Sequence, residues 1–141
     1  MKKTFFILLS LMLAAAASAQ ITQISSAKLP GQARTTIRKA WNNAPIVDSW
    51  RNKDGRRIEY KASIEDGSVI KFAANGQWIE VKNYNGVPSS LLPAALVKYV
   101  NHYYEGRMIV WVIRKGKNYE VQLSDNSKLE FDPKGSFRAF L

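Results

Sequence analysis

Apolar and polar residues alternate strictly over two stretches of the chain. Ile58, Tyr60, Ala62 and Ile64 are separated by Glu59, Lys61 and Ser63, and Tyr119, Val121 and Leu123 by Glu120 and Gln122. A period of two puts one row on a buried face and the other in water, so both stretches predict half-buried strands. Turn pairs follow, Asp66-Gly67 in one case and Asp125-Asn126 in the other, because Gly and Asn accept positive φ. The apolar row restarts on a return strand at Ile70 and Phe72, or at Leu129 and Phe131. A second turn comes at Asn75-Gly76 or Lys134-Gly135, and Trp78 or Phe137 opens a last strand.

These stretches are copies of one another. Tyr60 to Trp78 aligns without a gap on Tyr119 to Phe137, and the agreement falls on apolar and turn positions, as a repeated structure requires. A helical period precedes each copy. After Pro30 it is carried by Ala33, Ile37, Ala40 and Trp41. After Pro88-Ser89-Ser90, which reads as a helix start, it is carried by Leu92, Ala95, Leu96, Tyr99, Val100 and Tyr103, with Leu91 beside them. Pro93 fits a first helical turn, where its missing N–H costs little. Trp41, Trp78, Tyr99 and Tyr103 are expected to fill the space between helix and sheet.

Strands near Ile46 to Arg51 and Met108 to Arg114 complete each copy. The predicted fold is α+β: two tandem units, each a helix plus a four-stranded antiparallel sheet, with the helices on one face. Residues 29–83 and 87–141 form the two repeats, and only a short connection separates them. The polar segment 20–28 is expected as a tether, with an edge extension as the alternative.

The amino terminus changes the setting of this fold. Lys2 and Lys3 precede an apolar stretch from Phe5 to Ala17, broken only by Ser10, which ends Ala17-Ser18-Ala19. That is the pattern of a cleaved signal peptide over residues 1–19. The stretch is short for crossing about 30 Å of hydrocarbon, and nothing later approaches a membrane span. The protein is therefore expected in the periplasm or outside the cell, and not as an integral membrane protein. Cleavage takes away Lys2 and Lys3 and no acid, so the formal charge falls from +10 to +8. With no cysteine there is no disulfide, and packing alone must hold the domain.

The order of these residues resembles a known family. Leu29-Pro30, then Tyr60 to Asp66-Gly67, then Phe72-x-x-x-Gly76-x-Trp78 is similar to the PepSY-like proteins of Bacteroidetes, which share the fold of the beta-lactamase inhibitor protein. The second copy repeats it through Val87-Pro88, Leu92-Pro93, Tyr119 to Asp125, and Phe131-Asp132-x-x-Gly135. The resemblance covers nearly all of the mature chain. It implies a secreted or periplasmic protein of tandem helix-plus-four-strand units. It transfers no inhibitory residue, because a shared fold does not carry a function.

Candidate chemistry is sparse. His102 is the only histidine and is read as structural or surface-exposed, with Glu105 too weak a companion to make a site. Asp66, Asp125 and Asp132 sit in turns that side-chain caps explain. The ligand spacing of a calcium loop and a Gly-rich phosphate loop are both missing. A non-enzymatic protein is expected, with no cofactor and no metal.

Binding is the better prospect. Arg51, Lys53, Arg56 and Arg57 surround one long hairpin, and Arg114, Lys115 and Lys117 surround its counterpart. Those basic turns suit an acidic protein or an anionic glycan or lipid head group. In the strand from Met108 to Arg114 both rows are apolar, so one of them, with Trp111, is expected on the open side of the sheet. Trp50 poses the same question in the first copy. Aromatics beside arginines fit a protein-recognition face. The leading expectation is a binding or inhibitor-like module that recognises an envelope or secreted protein. The alternatives are the anionic glycan or lipid, and a hydrolase with an unrecognised site. Nucleic acid is not expected as a biological partner, since export removes the chain from it.

Overall fold

Nine strands hydrogen-bond in the order in which the chain makes them, every neighbour antiparallel. They are β1 (Gln20–Ile24), β2 (Ile46–Asp54), β3 (Arg57–Ile64), β4 (Val69–Ala73), β5 (Trp78–Lys82), β6 (Ile109–Lys115), β7 (Asn118–Leu123), β8 (Lys128–Phe131) and β9 (Phe137–Phe140). Helix α1 (Gly31–Ala40) lies between β1 and β2 in the sequence, and α2 (Ala94–Tyr103) between β5 and β6. This computed structural model describes residues 19–141. The expected signal peptide, apart from Ala19, lies outside the described residues.

Directly paired residues on neighbouring strands share a face of the sheet. One such row runs Ser49, Ala62, Ile70, Val81, Val112, Val121, Leu129 from β2 to β8, and every member is buried. Ala33, Ile37 and Trp41 press onto this face from α1, and Leu96 and Val100 from α2, in one continuous core. Fully burying side chains of this size contributes roughly 1.5–3 kcal/mol each, and that burial holds both helices to the sheet.

Two glycines set how closely the helices approach. Gly76 (φ +86°) and Gly135 (φ +89°) lie in the β4–β5 and β8–β9 turns. A Cβ on Gly76 would stand 3.0 Å from the Cβ atoms of Pro30 and Gln32, and one on Gly135 2.8 Å from the Leu96 nitrogen and the Pro93 Cβ. Each turn is thus a seat for the first turn of a helix.

Two open expectations take a definite form, and two others need correcting. The sheet is one nine-stranded sheet, because Glu80, Val81 and Lys82 of β5 pair with Ile113, Val112 and Trp111 of β6. Within the segment expected as a tether, Gln20–Ile24 is a strand that extends the edge along β2, and Ser26–Lys28 is a one-turn 3-10 helix. Pro88-Ser89-Ser90 does not start the second helix. It leads into a separate 3-10 turn at Ser89–Leu91, and α2 begins only after Pro93. The proline ring holds the preceding Leu92 extended (φ −112°, ψ 151°), so no helix runs through it. Tyr103 does not fill the core: it is 62% exposed on the last turn of α2, while Trp41 and Trp78 are buried.

Candidate binding surface

The face of the sheet opposite the helices carries no covering element among the described residues. Its central row, read from the pairing, is Gln23, Trp50, Lys61, Lys71, Glu80, Ile113, Glu120, Glu130. A parallel row runs Val69, Lys82, Trp111, Gln122, Lys128. Here β6 resolves its two apolar rows. Val110 and Val112 face the core, while Trp111 and Ile113 are half-buried on the open side.

Each open-face tryptophan has a lysine over its ring. Lys61 Nζ lies 5.2 Å from the Trp50 ring centre, and Lys82 Nζ 4.5 Å from that of Trp111 and 4.9 Å from that of Tyr84. The ring quadrupole attracts the ammonium. The carboxylates on this face already have partners. Glu59 pairs with Arg57 (2.6 Å), Glu80 with Lys71 (3.3 Å), and Glu120 with Lys115 (2.6 Å). Glu80 Oε1 also accepts from the Trp111 indole N–H at 2.9 Å, and Glu130 accepts from the Asn118 amide at 3.1 Å. Among the described residues Lys61, Lys82 and Lys128 have no carboxylate partner. The face therefore has spare positive charge located beside its aromatic rings.

Two hollows flank this charge. One, of about 240 Å³, is walled by Ile21, Trp50, Asn52, Glu59, Lys61 and Lys71, and the buried Asn52 Oδ1 has no hydrogen-bond partner. The other, of about 260 Å³, lies between Lys61, Lys71, Lys82 and Trp111. Lys61 and Lys71 belong to both.

The residues expected to bind a partner do not form one cluster. Trp50 and Trp111 lie on the open face. Arg56 and Lys117 occupy the two-residue turns of the β2–β3 and β6–β7 hairpins. With every strand antiparallel to its neighbour, both turns lie at the same end of the sheet, four strand spacings or about 19 Å apart. Lys53, Arg57 and Lys115 stand near those tips, and Lys115 is held protonated beyond its usual range by its hydrogen bond to Glu120. Arg51 and Arg114 turn the other way, toward the helices, opposite Tyr60 and Tyr119. The lysines Lys61 and Lys82 were absent from the expected set. Alternation marked Lys61 only as a wet-row residue, and its position over an indole depends on cross-strand register.

At the far end of the sheet Arg107 Nε contacts Asp125 Oδ2 at 2.8 Å. The backbone N–H of Ser127, then its hydroxyl, with a smaller contribution from Arg107, holds the Asp125 carboxyl below its usual range. His102 is exposed and stands edge-on to Tyr103.

A family model described as "Putative beta-lactamase-inhibitor-like, PepSY-like" matches residues 58–139. The chain belongs to this PepSY-like family. Solved structures agree with it. A protein of Bacteroides thetaiotaomicron, described as "a putative calcium-regulated periplasmic protein", is 26% identical, with a TM-score of 0.79 over 86% of this chain and 96% of its own. "A putative periplasmic protein of unknown function" from Bacteroides vulgatus is 29% identical, with a TM-score of 0.77 over 87% and 98%. A second Bacteroides vulgatus protein, at 24% identity and a TM-score of 0.77 over 86% and 97%, bears on the fold alone. No curated protein matches the chain's sequence. In this PepSY-like chain no three His, Cys, Asp or Glu side chains among the described residues gather closely enough to hold a metal ion. No described helix is long and apolar enough to cross a membrane.

Proposed function

We propose that this PepSY-like protein is a periplasmic or secreted, non-enzymatic binding module that recognises an acidic patch on an envelope or secreted protein through the open face of its sheet. One observation carries the reading: two half-buried tryptophans on an uncovered face, each beside a lysine that no carboxylate neutralises. Tryptophans are enriched among the energetic centres of protein interfaces, whose rims are polar and solvent-accessible. Nine strands spaced about 4.8 Å, each contributing about five residues at 3.3 Å, give a face of roughly 40 by 17 Å, close to the ~800 Å² per partner of a standard interface. The signal sequence and the periplasmic relatives support the compartment. We read the chain as two structural units, residues 29–83 and 87–141, on the support of the paired glycine seats and of Arg51 and Arg114 opposite equivalent tyrosines.

The test is site-specific photo-crosslinking in the protein's own envelope. A crosslinker at Ile113, two residues from Trp111 on β6 and in the same cross-strand row as Trp50, is expected to capture one protein. The same group at Arg38, on the helix side, is expected not to. Trp111→Ala and Lys61→Glu should each reduce the Ile113 capture by about tenfold. Capture that is equal from both positions and vanishes in high salt would defeat the reading. It would favour an anionic glycan or lipid head group bound at the Arg56 and Lys117 hairpins, whose attraction is screened beyond about 10 Å at 0.1 M salt.

A further inference from the structure

The helix side of the sheet holds a second candidate site, and its centre is Arg114. This arginine sits on β6 with Val110 and Val112 on the core-facing side. Its guanidinium carbon lies 4.1 Å from the centre of the Trp78 ring and 5.3 Å from that of Tyr119. Trp78 and Tyr119 are themselves packed at 6.1 Å and are buried, so the guanidinium rests on a rigid aromatic floor. No carboxylate among the described residues pairs with it. Its Nε is buried and lacks a hydrogen-bond partner, which for a charged donor is a costly state to leave unanswered.

Beside Arg114 opens a cleft of about 420 Å³ between α1 and the Ser89–Leu91 turn. Lys39, Thr36 and Gln32 come from successive turns of α1, Ser90 from the opposite wall, and Gln77 from the β4–β5 turn. No acid lines it. Two cations and four neutral hydrogen-bonding side chains thus converge on a hollow of ordinary small-ligand size. Lys39 also has no carboxylate partner among the described residues. A guanidinium centred 4.1 Å from an indole ring is held in place by it, and its planar fork of N–H donors is the group that takes a carboxylate or phosphate with two parallel hydrogen bonds.

We infer that this cleft binds the oxyanion group of a small ligand, a carboxylate or a phosphate, clamped between Arg114 and Lys39 with Ser90 and Gln77 as neutral donors. The site is on the opposite side of the sheet from the protein-binding face proposed above and does not depend on it. Trp78 is its built-in reporter.

An NMR titration of the exported protein tests it, with succinate and inorganic phosphate as probes and chloride at matched ionic strength as the control. The expected result is a saturable shift of the Trp78 indole N–H and the Ser90 amide, with a Kd below about 1 mM for one probe. The Trp50 and Trp111 indoles should not move. Whichever probe saturates first assigns the group as carboxylate or phosphate. Arg114→Gln is expected to weaken binding by about tenfold or more. If Arg114→Gln disturbs the fold, the exposed Lys39→Glu carries the test and should abolish the shift while leaving the unbound spectrum intact elsewhere. The inference is overturned if neither probe saturates by about 10 mM. Shifts of equal size at the Arg56 and Lys117 hairpins would overturn it equally, since they mark diffuse attraction of anions to a basic protein.

Discussion

The two helices are seated alike and tied down differently. Each rests its first turn on a glycine turn, α1 on Gly76 and α2 on Gly135. At the far end of α1 the tie is polar. The Trp41 indole donates to Ser68 Oγ at 2.9 Å, and Asn83 Nδ2 donates to the same oxygen at 2.7 Å and to Asp66 Oδ2 at 3.2 Å. Under α2 it is aromatic. Tyr99 stacks on Phe137 at 4.8 Å with planes 5° apart, and meets Phe131 edge-on at 5.5 Å. The seat is a matter of backbone approach, so both helices need the same residue there. Lateral ties only have to fill space and satisfy donors, so their chemistry is free to differ.

Breaking the seats should have the largest effect. Gly135→Ala adds a methyl 2.8 Å from a backbone nitrogen at positive φ, and is expected to cost about 2–4 kcal/mol through combined overpacking and backbone strain. Gly76→Ala, with 3.0 Å contacts to side-chain carbons and 3.2 Å to the Ala33 nitrogen, should cost less, about 1–3 kcal/mol on the same grounds. Urea unfolding of both variants checks the order. Equal costs below about 1 kcal/mol would mean that the helices are not seated on these turns.

The ties come next. Ser68→Ala removes the acceptor shared by two buried donors and is expected to cost about 1–3 kcal/mol. Phe137→Leu keeps an apolar group at a partly exposed site and gives up a stacked pair worth about 0.5–1.5 kcal/mol. Thermal melts of the two variants separate the polar tie from the aromatic one. A Phe137→Leu loss larger than that of Ser68→Ala would reverse the comparison.

The smallest effect is electrostatic. Asp125 belongs to the second half and is held below its usual range by Ser127 and Arg107. Its folded pKa is therefore lower than its unfolded one, so the stability it contributes is present above the unfolded value and fades as pH falls through the folded value. The carboxylate is exposed, so the contribution is small. Asp125→Asn should lower stability slightly and evenly above pH ~6 and flatten the acid limb of the stability–pH profile, so that the two proteins converge at low pH. An unchanged acid limb would show that the Ser127 and Arg107 contacts to this carboxylate together add nothing to stability.

Much of this fold is legible in the residues because period and turn chemistry are local properties. The alternation from Ile58 to Ile64 and from Tyr119 to Leu123, the Asp-led turns, and the spaced apolar positions of α1 mark their elements directly. Asn126 takes the positive φ of +70° that its place in the turn calls for. Other features needed a partner strand. Gln20–Ile24 is too polar to read as a strand until β2 supplies its hydrogen bonds, and nothing in β5 or β6 alone says that they pair. The face of β6 was open because both of its rows are apolar.

The candidate sites divide in the same way. Trp50 and Trp111 stood out by residue type. Lys61 and Lys82 did not, because an ammonium over an indole is made by the register between neighbouring strands and not by residue type. Arg114 was grouped with a basic hairpin by its neighbours Lys115 and Lys117, and the structure turns it instead onto Trp78.

The amino-acid sequence by itself determined the half-buried strands and the glycine turns. Each depends on residues within a few positions of one another, where steric preference and periodicity decide the outcome. Only the tertiary structure decided that one sheet runs through nine strands, which face stays open, and which cations are left without acids. Those are outcomes of pairing and packing between segments tens of residues apart, and no local preference encodes them.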